Sequence, residues 1–225
     1  MRELAARGAH VTIADIDAQA AEPLAIEVKG ESWVVDLTDP TALTELTLDI
    51  DILVNNAGIQ VVSPIEAFPP EAFRRILSLM VEAPFLLIRA ALPGMYERGF
   101  GRIINVSSVH GLRASKHKAA YVAAKHGLEG LSKVAALEGG PFGVTSNCVN
   151  PAYVRTPLVD KQISDQARTN NITEDEVVEQ VFMLRNAIKR FIEPVEVGRL
   201  VSWLASHEAG MVTGASYTMD GGFTV

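Results

Sequence analysis

Short apolar runs rich in β-branched residues recur along the chain at 10–15, 32–37, 51–56, 102–108 and 144–150, each closing on or beside Asp, Asn or Ser. Between them lie longer stretches with helical apolar spacing. A strand–helix–strand repeat of this kind permits few topologies. Parallel strands need long crossovers, crossovers are right-handed, and helices must then cover both sheet faces. The expectation is an α/β fold built on one parallel sheet, in a single domain over 1–225 without repeats or low-complexity tracts. In such sheets ligands sit at the carboxyl ends of the strands, which places Asp15, Asp36, Asn56, Ser108 and Pro151 on one rim.

The connecting elements carry their own signals. A helix is expected over 17–28 with Pro23 near its start, and Asp39-Pro40 should open a short helix. The stretch 69–99 reads as one long amphipathic helix that Pro84 should kink or perturb. A further helix is expected from about Ala119 to Leu137, and another from Glu193-Pro194 to near Ser206, before a last strand and turn in GASYTMDGG. Thr173 and Glu176 form a capping-box pattern inside a polar insertion, 158–190.

Composition narrows the function classes. A net charge of −7 without a basic block speaks against nucleic acid as a partner. The lone Cys148 excludes an internal disulfide and fits a reducing cytoplasm, the expected location. No apolar run is expected to approach the ~18 residues of a membrane span. The opening MRELAARGAH reads as a helix ending rather than a signal peptide.

The chemistry concentrates in three residues. Tyr121 and Lys125 stand one helical turn apart, so phenol and ammonium share a face, and Ser108 ends the run RIINVSS. A phenol has a reference pKa near ~10, and a fixed cation beside it favours phenolate. A serine at a strand end can hold a carbonyl oxygen while the tyrosine moves a proton. The set suits carbonyl/alcohol interconversion. Y-x-x-x-K alone is a weak motif, since in most helices such a tyrosine packs and such a lysine is solvated. Its context is specific: DILVNNAG at 51–58 and NPAYVRTP at 150–157 accompany it in order. On these motifs the chain resembles the short-chain dehydrogenase/reductase family, from Gly8 to Gly222.

That resemblance implies a Rossmann-like, doubly wound parallel sheet and a nicotinamide cofactor. It implies catalytic roles for Ser108, Tyr121 and Lys125, with Lys125 also binding the nicotinamide ribose. Asp15, ending the second strand of such a fold, would accept from the adenosine ribose and favour NAD over NADP, although an Asx turn or helix cap is the plainer use of Asp15 or Asp17. Asp36 and Leu37 would meet the adenine, and Asn56, Ala57 and Gly58 the adenosine side. Pro151, Val154 and Thr156 would hold the nicotinamide end. No metal is expected, because His10, His110, His117, His126 and His207 form no ligand-like set with carboxylates. The family's first strand and glycine-rich phosphate loop are expected to be absent from this chain, which would begin in the helix that follows them. The expectation is that the sequence starts too late; a domain made in this front-shortened form should fold weakly and bind the cofactor poorly. Two departures from the family pattern stand out: Met80 where an asparagine usually helps a proton relay, and Ala152 where glycine is usual.

For the substrate, NNAGIQ, SSVHGLRASKHKAAYVAAKHG and VRTPLVDKQI resemble bacterial D-3-hydroxybutyrate dehydrogenases. In that group the residues matching Gln60, His110, Lys118 and Gln162 bind the substrate carboxylate, and Tyr153 takes the place of a tryptophan at the methyl end. Lys118 and His110 as solvated loop residues is the plainer reading of either one alone. The insertion 158–190 would be a lid, and the family is commonly tetrameric, so a homo-tetramer is expected. A 3-oxoacyl or sugar-alcohol reductase, or a catalytically silent homologue, remains open.

Overall fold

The computed structural model describes residues 1–156, 159–160, 163–164, 167–168 and 171–225. In chain order the elements are α1 (Arg2–Ala6), β1 (Thr12–Asp15), α2 (Ala18–Val28), β2 (Glu31–Val34), α3 (Thr41–Thr44) and β3 (Ile52–Asn55). They continue with α4 (Pro70–Leu77), α5 (Ala83–Arg98), β4 (Gly101–Val106), α6 (Ala119–Gly139) and β5 (Val144–Pro151). The last are α7 (Glu174–Val177), α8 (Pro194–Leu204) and β6 (Ser216–Met219).

Every strand pairing is parallel, as the strand–helix alternation requires. The sheet nevertheless comes in two pieces, β1-β2 and β3-β4-β5-β6. Between them lies a largely apolar cavity of about 440 Å³, lined by Thr12, Ile13 and Ala14 of β1 and by Leu53, Val54 and Asn55 of β3. Among the described residues β1 pairs only with β2 and β3 only with β4, so each keeps one ladder edge without a strand partner.

Alternation along the strands builds a core on each face. Ile103 packs with Leu86, Leu87, Ala91 and Met95 of α5, whereas its neighbour Ile104 packs with Val149 and with Val201 and Leu204 of α8. β5 is buried along its whole length, as a central parallel strand should be.

Several details differ from the expectations. Pro23 lies inside α2 rather than near its start, and Asp17 is the N-cap, accepting from the Gln19 amide at 2.9 Å. α3 begins one residue later than Asp39-Pro40 suggested, so its N-cap is Pro40 rather than Asp39, and the Asp39 carboxylate accepts from the Thr41 amide and hydroxyl at 2.9 and 2.6 Å just ahead of it. The perturbation expected of Pro84 is a π-helical turn, Ser78–Glu82, immediately before α5. Pro84 offers no N–H, and a π turn draws its donor from one residue further along. Together these segments make a helix, Pro70–Arg98, long and apolar enough by length and composition alone to cross a membrane, although Glu82 and Arg89 interrupt its apolar run. Half of its most apolar window is buried inside the molecule, where it forms the core. The capping box at Thr173 forms as read, with reciprocal bonds to Glu176.

Candidate active site

The carboxyl ends of β3, β4 and β5 open onto a cavity of about 270 Å³. β4 ends at Val106, and a single 3₁₀ turn, Val109–Gly111, follows. Ser108 caps that turn, its Oγ accepting from the His110 amide at 3.2 Å. α6 then delivers Tyr121 and Lys125 to the same cavity, so the sequence triplet converges as expected.

The electrostatics are less simple than the spacing suggested. Lys125 is only 4% exposed, and its Nζ donates to the Val106 carbonyl at 2.6 Å. Burial lowers its pKa to about 8, opposed by the charges of Cys148 and Glu129. Its Nζ lies 5.6 Å from the centre of the Tyr121 ring. Burial raises the Tyr121 pKa, with hydrogen bonding to Ser108 acting the other way. At Tyr121 desolvation is therefore the larger influence, opposed by the hydrogen bond to Ser108.

His110 and Lys118 border the same cavity and meet each other, Lys118 Nζ standing 3.2 Å from His110 Nε2. His110 is buried, and its pKa falls to about 4 through desolvation first and the Lys118 charge second. Burial also lowers Lys118. Neither is a freely solvated loop residue. The connecting loop is held by the Ser63 amide, which donates to the carbonyl of His117 at 2.9 Å, with His117 itself left-handed at φ +66°.

Gln60, Asn56, Gly58, Pro151, Ala152, Tyr153, Val154 and Thr156 complete the wall with the residues above. Tyr153 also packs edge-on against Phe182, at 4.9 Å between ring centres, and so joins the cavity to the cluster of Ile163, Val177, Phe182, Met183 and Phe191. Gln162 lies outside the described residues.

Asp15, Leu37 and Ala57 line the second cavity, between β1 and β3, and Asn56 lines both. Asp15 Oδ1 also accepts from the Asp17 amide at 3.0 Å, so the plainer local turn and a place at the cavity coexist. Asp36 is not brought to either cavity: β2 ends at Val34, and the Asp36 carboxylate turns back to the Thr38 amide and hydroxyl at 2.8 and 2.7 Å. Met80 is buried against Ile76, Ala120 and Ala124 below Tyr121, an apolar neighbour with no donor to offer.

A nicotinamide and its ribose fit the first cavity. Lys125 has three N–H donors and spends one on Val106, Thr156 offers a hydroxyl, and the wall at Pro151–Val154 is mostly apolar. The fit at the pyrophosphate is poorer, because no glycine-rich turn lines either cavity among the described residues. No group of three His, Cys, Asp or Glu able to hold a metal occurs among the described residues.

Sequence reasoning missed Glu129 and Asn150. Both are buried: Asn150 Nδ2 donates to Glu129 Oε1 at 2.5 Å and to the carbonyl of Ser108 at 2.9 Å. The available signal was a carboxylate one helical turn past Lys125 on the same face.

Comparison with known proteins gives the chain's relatives. The family model described as enoyl-(acyl carrier protein) reductase matches residues 1–224. A D-beta-hydroxybutyrate dehydrogenase of Rhizobium meliloti (strain 1021) is 47% identical over 196 residues, 84% of this chain and 76% of the relative. A 4-hydroxyisoleucine dehydrogenase solved with NADH superposes with a TM-score of 0.79 at 27% identity, covering 98% of this chain and 89% of its own. A protein of Agrobacterium tumefaciens described as a 2-deoxy-D-gluconate 3-dehydrogenase, solved with NADP, gives 0.85 at 27% identity over 98% and 88%.

Proposed function

The chain is a member of the short-chain dehydrogenase/reductase family and hence an oxidoreductase, and from that premise we propose that it interconverts D-3-hydroxybutyrate and acetoacetate with NAD. The observation that carries the substrate is the Lys118–His110 contact at 3.2 Å on the wall of the cavity that holds Ser108 and Tyr121. With its pKa near 4, His110 is neutral at pH 7 and its Nε2 accepts from Lys118, so Lys118 supplies the charge for a small carboxylate and His110 orients the ammonium toward it. Gln60 and Gln162 add amide donors, Tyr153 walls the methyl end, and the segment 158–190 acts as a lid that excludes water. The relative that is 47% identical supports this substrate class.

In the forward direction Tyr121 Oη takes the hydroxyl proton while Ser108 Oγ orients the same oxygen. Lys125 would hold the ribose, and its positive charge favours the phenolate against the desolvation of Tyr121. The nicotinamide, when bound, supplies the hydride acceptor, and its positive ring adds to the field at Tyr121. Lys125, Val154, Thr156 and Pro151 would hold its nicotinamide end, and Asn56, Ala57, Gly58, Leu37 and Asp15 the adenosine end. The Asp15 carboxylate beside the ribose favours NAD over a 2′-phosphorylated dinucleotide. We propose a cytoplasmic homo-tetramer, supported by the lone Cys148 and by exposed Phe85 on α5 and Val134 and Leu137 on α6.

Lys118→Ala should raise the KM for acetoacetate by ~10- to 100-fold, the size of a lost hydrogen bond to a charged group, with kcat for a neutral ketone little changed. An unchanged KM contradicts the carboxylate pocket. A parallel screen with 3-oxoacyl thioesters and sugar alcohols separates this reading from the other reductases of the family.

A further inference from the structure

One buried charged side chain beside the catalytic triplet has no part in the steps above. Glu129 is 4% exposed and lies on the face of α6 that carries Tyr121 and Lys125, one turn beyond Lys125. Both of its carboxylate oxygens are held. Oε1 accepts from Asn150 Nδ2 at 2.5 Å, and Oε2 accepts from the Ser216 hydroxyl at 2.6 Å. Asn150, at the end of β5, is itself fully buried and spends its second N–H on the carbonyl of Ser108 at 2.9 Å. Since both of its partners are acceptors, the orientation of the Asn150 amide is fixed. The chain of bonds runs from β6 through α6 and β5 to the peptide that presents the Ser108 hydroxyl.

Gly111 completes the arrangement. A Cβ there would stand 2.9 Å from Glu129 Oε1 and 2.5 Å from Ser107 Oγ, so only glycine leaves the carboxylate its place. A buried carboxylate needs compensation. Here two donors supply it, with Lys125 one turn away on the same helix as the nearby cation.

We infer that Glu129 is a positioning residue of the active site, fixing Ser108 through Asn150 and giving Lys125 a buried counter-charge. The inference rests on the dehydrogenase reading for the roles of Ser108 and Lys125, but not on the identity of the substrate. Tyr121 and Glu129 from α6 and Cys148 from β5 are the titratable groups around Lys125, with His110 facing Tyr121 from the 3₁₀ turn. The Glu129 charge favours the ammonium, against the desolvation that brings Lys125 down to about 8.

Glu129→Gln is the direct test of the counter-charge, because it keeps the shape and removes the charge while its Oε1 can still accept from Asn150. Two readouts are followed in the full chain: the titration of the Lys125 amine by NMR, and kcat and KM for D-3-hydroxybutyrate across pH. The Lys125 midpoint should fall by about one unit, as expected of a charge one helical turn away in a poorly solvated site. With it kcat should fall by ~10-fold or more, its alkaline limb shifted, while KM for the hydroxy acid moves little. A variant with lowered thermal stability but an unmoved Lys125 midpoint and wild-type kcat overturns the proposal. Glu129→Asp keeps the charge and shortens the reach, so its Lys125 midpoint should stay near the wild-type value while kcat falls. Full kcat in Glu129→Asp overturns the clamp on Ser108 even where Glu129→Gln does not fold. If no turnover of hydroxybutyrate occurs in any form, the substrate reading fails, and the Lys125 titration still decides the role of Glu129.

Discussion

His110 shows how far one side chain's environment departs from what its sequence position suggests. Its pKa falls from 6.5 to about 4, chiefly by burial. The unfolded chain therefore binds a proton there at a pH where the folded chain does not, and folding stability is lost as pH falls from about 6.5 toward 4. The loss from this one group is at most about 3 kcal/mol. Urea unfolding at pH 7 and at pH 4.5 should show a steeper decline in wild type than in His110→Gln; equal declines would contradict the buried, neutral imidazole. Spacing offered Ser108, Tyr121 and Lys125 as a set, and the accompanying motifs at 51–58 and 150–157 made the set specific. What was not legible is their desolvation. Sequence shows that Lys125 stands near Tyr121, but not that burial pushes the phenol up and draws the amine down. Glu129 stayed hidden for the same reason, since a carboxylate on a helix reads as solvated until the helix is packed.

Elements were readable wherever a local signal set them, and shifted where tertiary bonds did. The Thr173 capping box needs only its own sequence, and it formed as expected. Asp36 depended on how far β2 extends; the strand stops at Val34, the carboxylate accepts from the Thr38 amide, and Asp36 lines neither cavity. The turn joining α6 to β5 shows a constraint that composition hides. Gly143 sits at φ +73°, and a Cβ there would approach the Gly99 carbonyl oxygen to 2.3 Å. Gly143→Ala must both strain the backbone and push the turns at Gly99 and Gly143 away from each other, so a loss of at least about 2 kcal/mol is expected. Denaturant midpoints measure it directly, and a near-neutral substitution would show that these turns do not pack as described.

Across the whole molecule the parallel topology, the two-sided cover of helices and the rim of strand ends were all foreseeable from the alternation of short apolar runs with helical periods. The division of the sheet into two pieces has an energetic counterpart. β4 and β5 are buried almost throughout, whereas β1 and β2 are mostly exposed and pair only with each other among the described residues. Amides of β1 and β2 should therefore exchange with solvent ~100-fold or more faster than those of β4 and β5; uniform protection would contradict that picture. Asp15 lies on the less protected piece and Tyr121 on the helix packed over the other. The central claim is that proton movement at the Tyr121 hydroxyl carries the reaction. It is tested most directly by NAD-dependent oxidation of D-3-hydroxybutyrate at saturating cofactor, in wild type and Tyr121→Phe, followed by NADH formation. The account predicts turnover in wild type and a kcat lower by ~100-fold or more in the variant, with NADH affinity unchanged. A Tyr121→Phe enzyme running at the wild-type rate would contradict it.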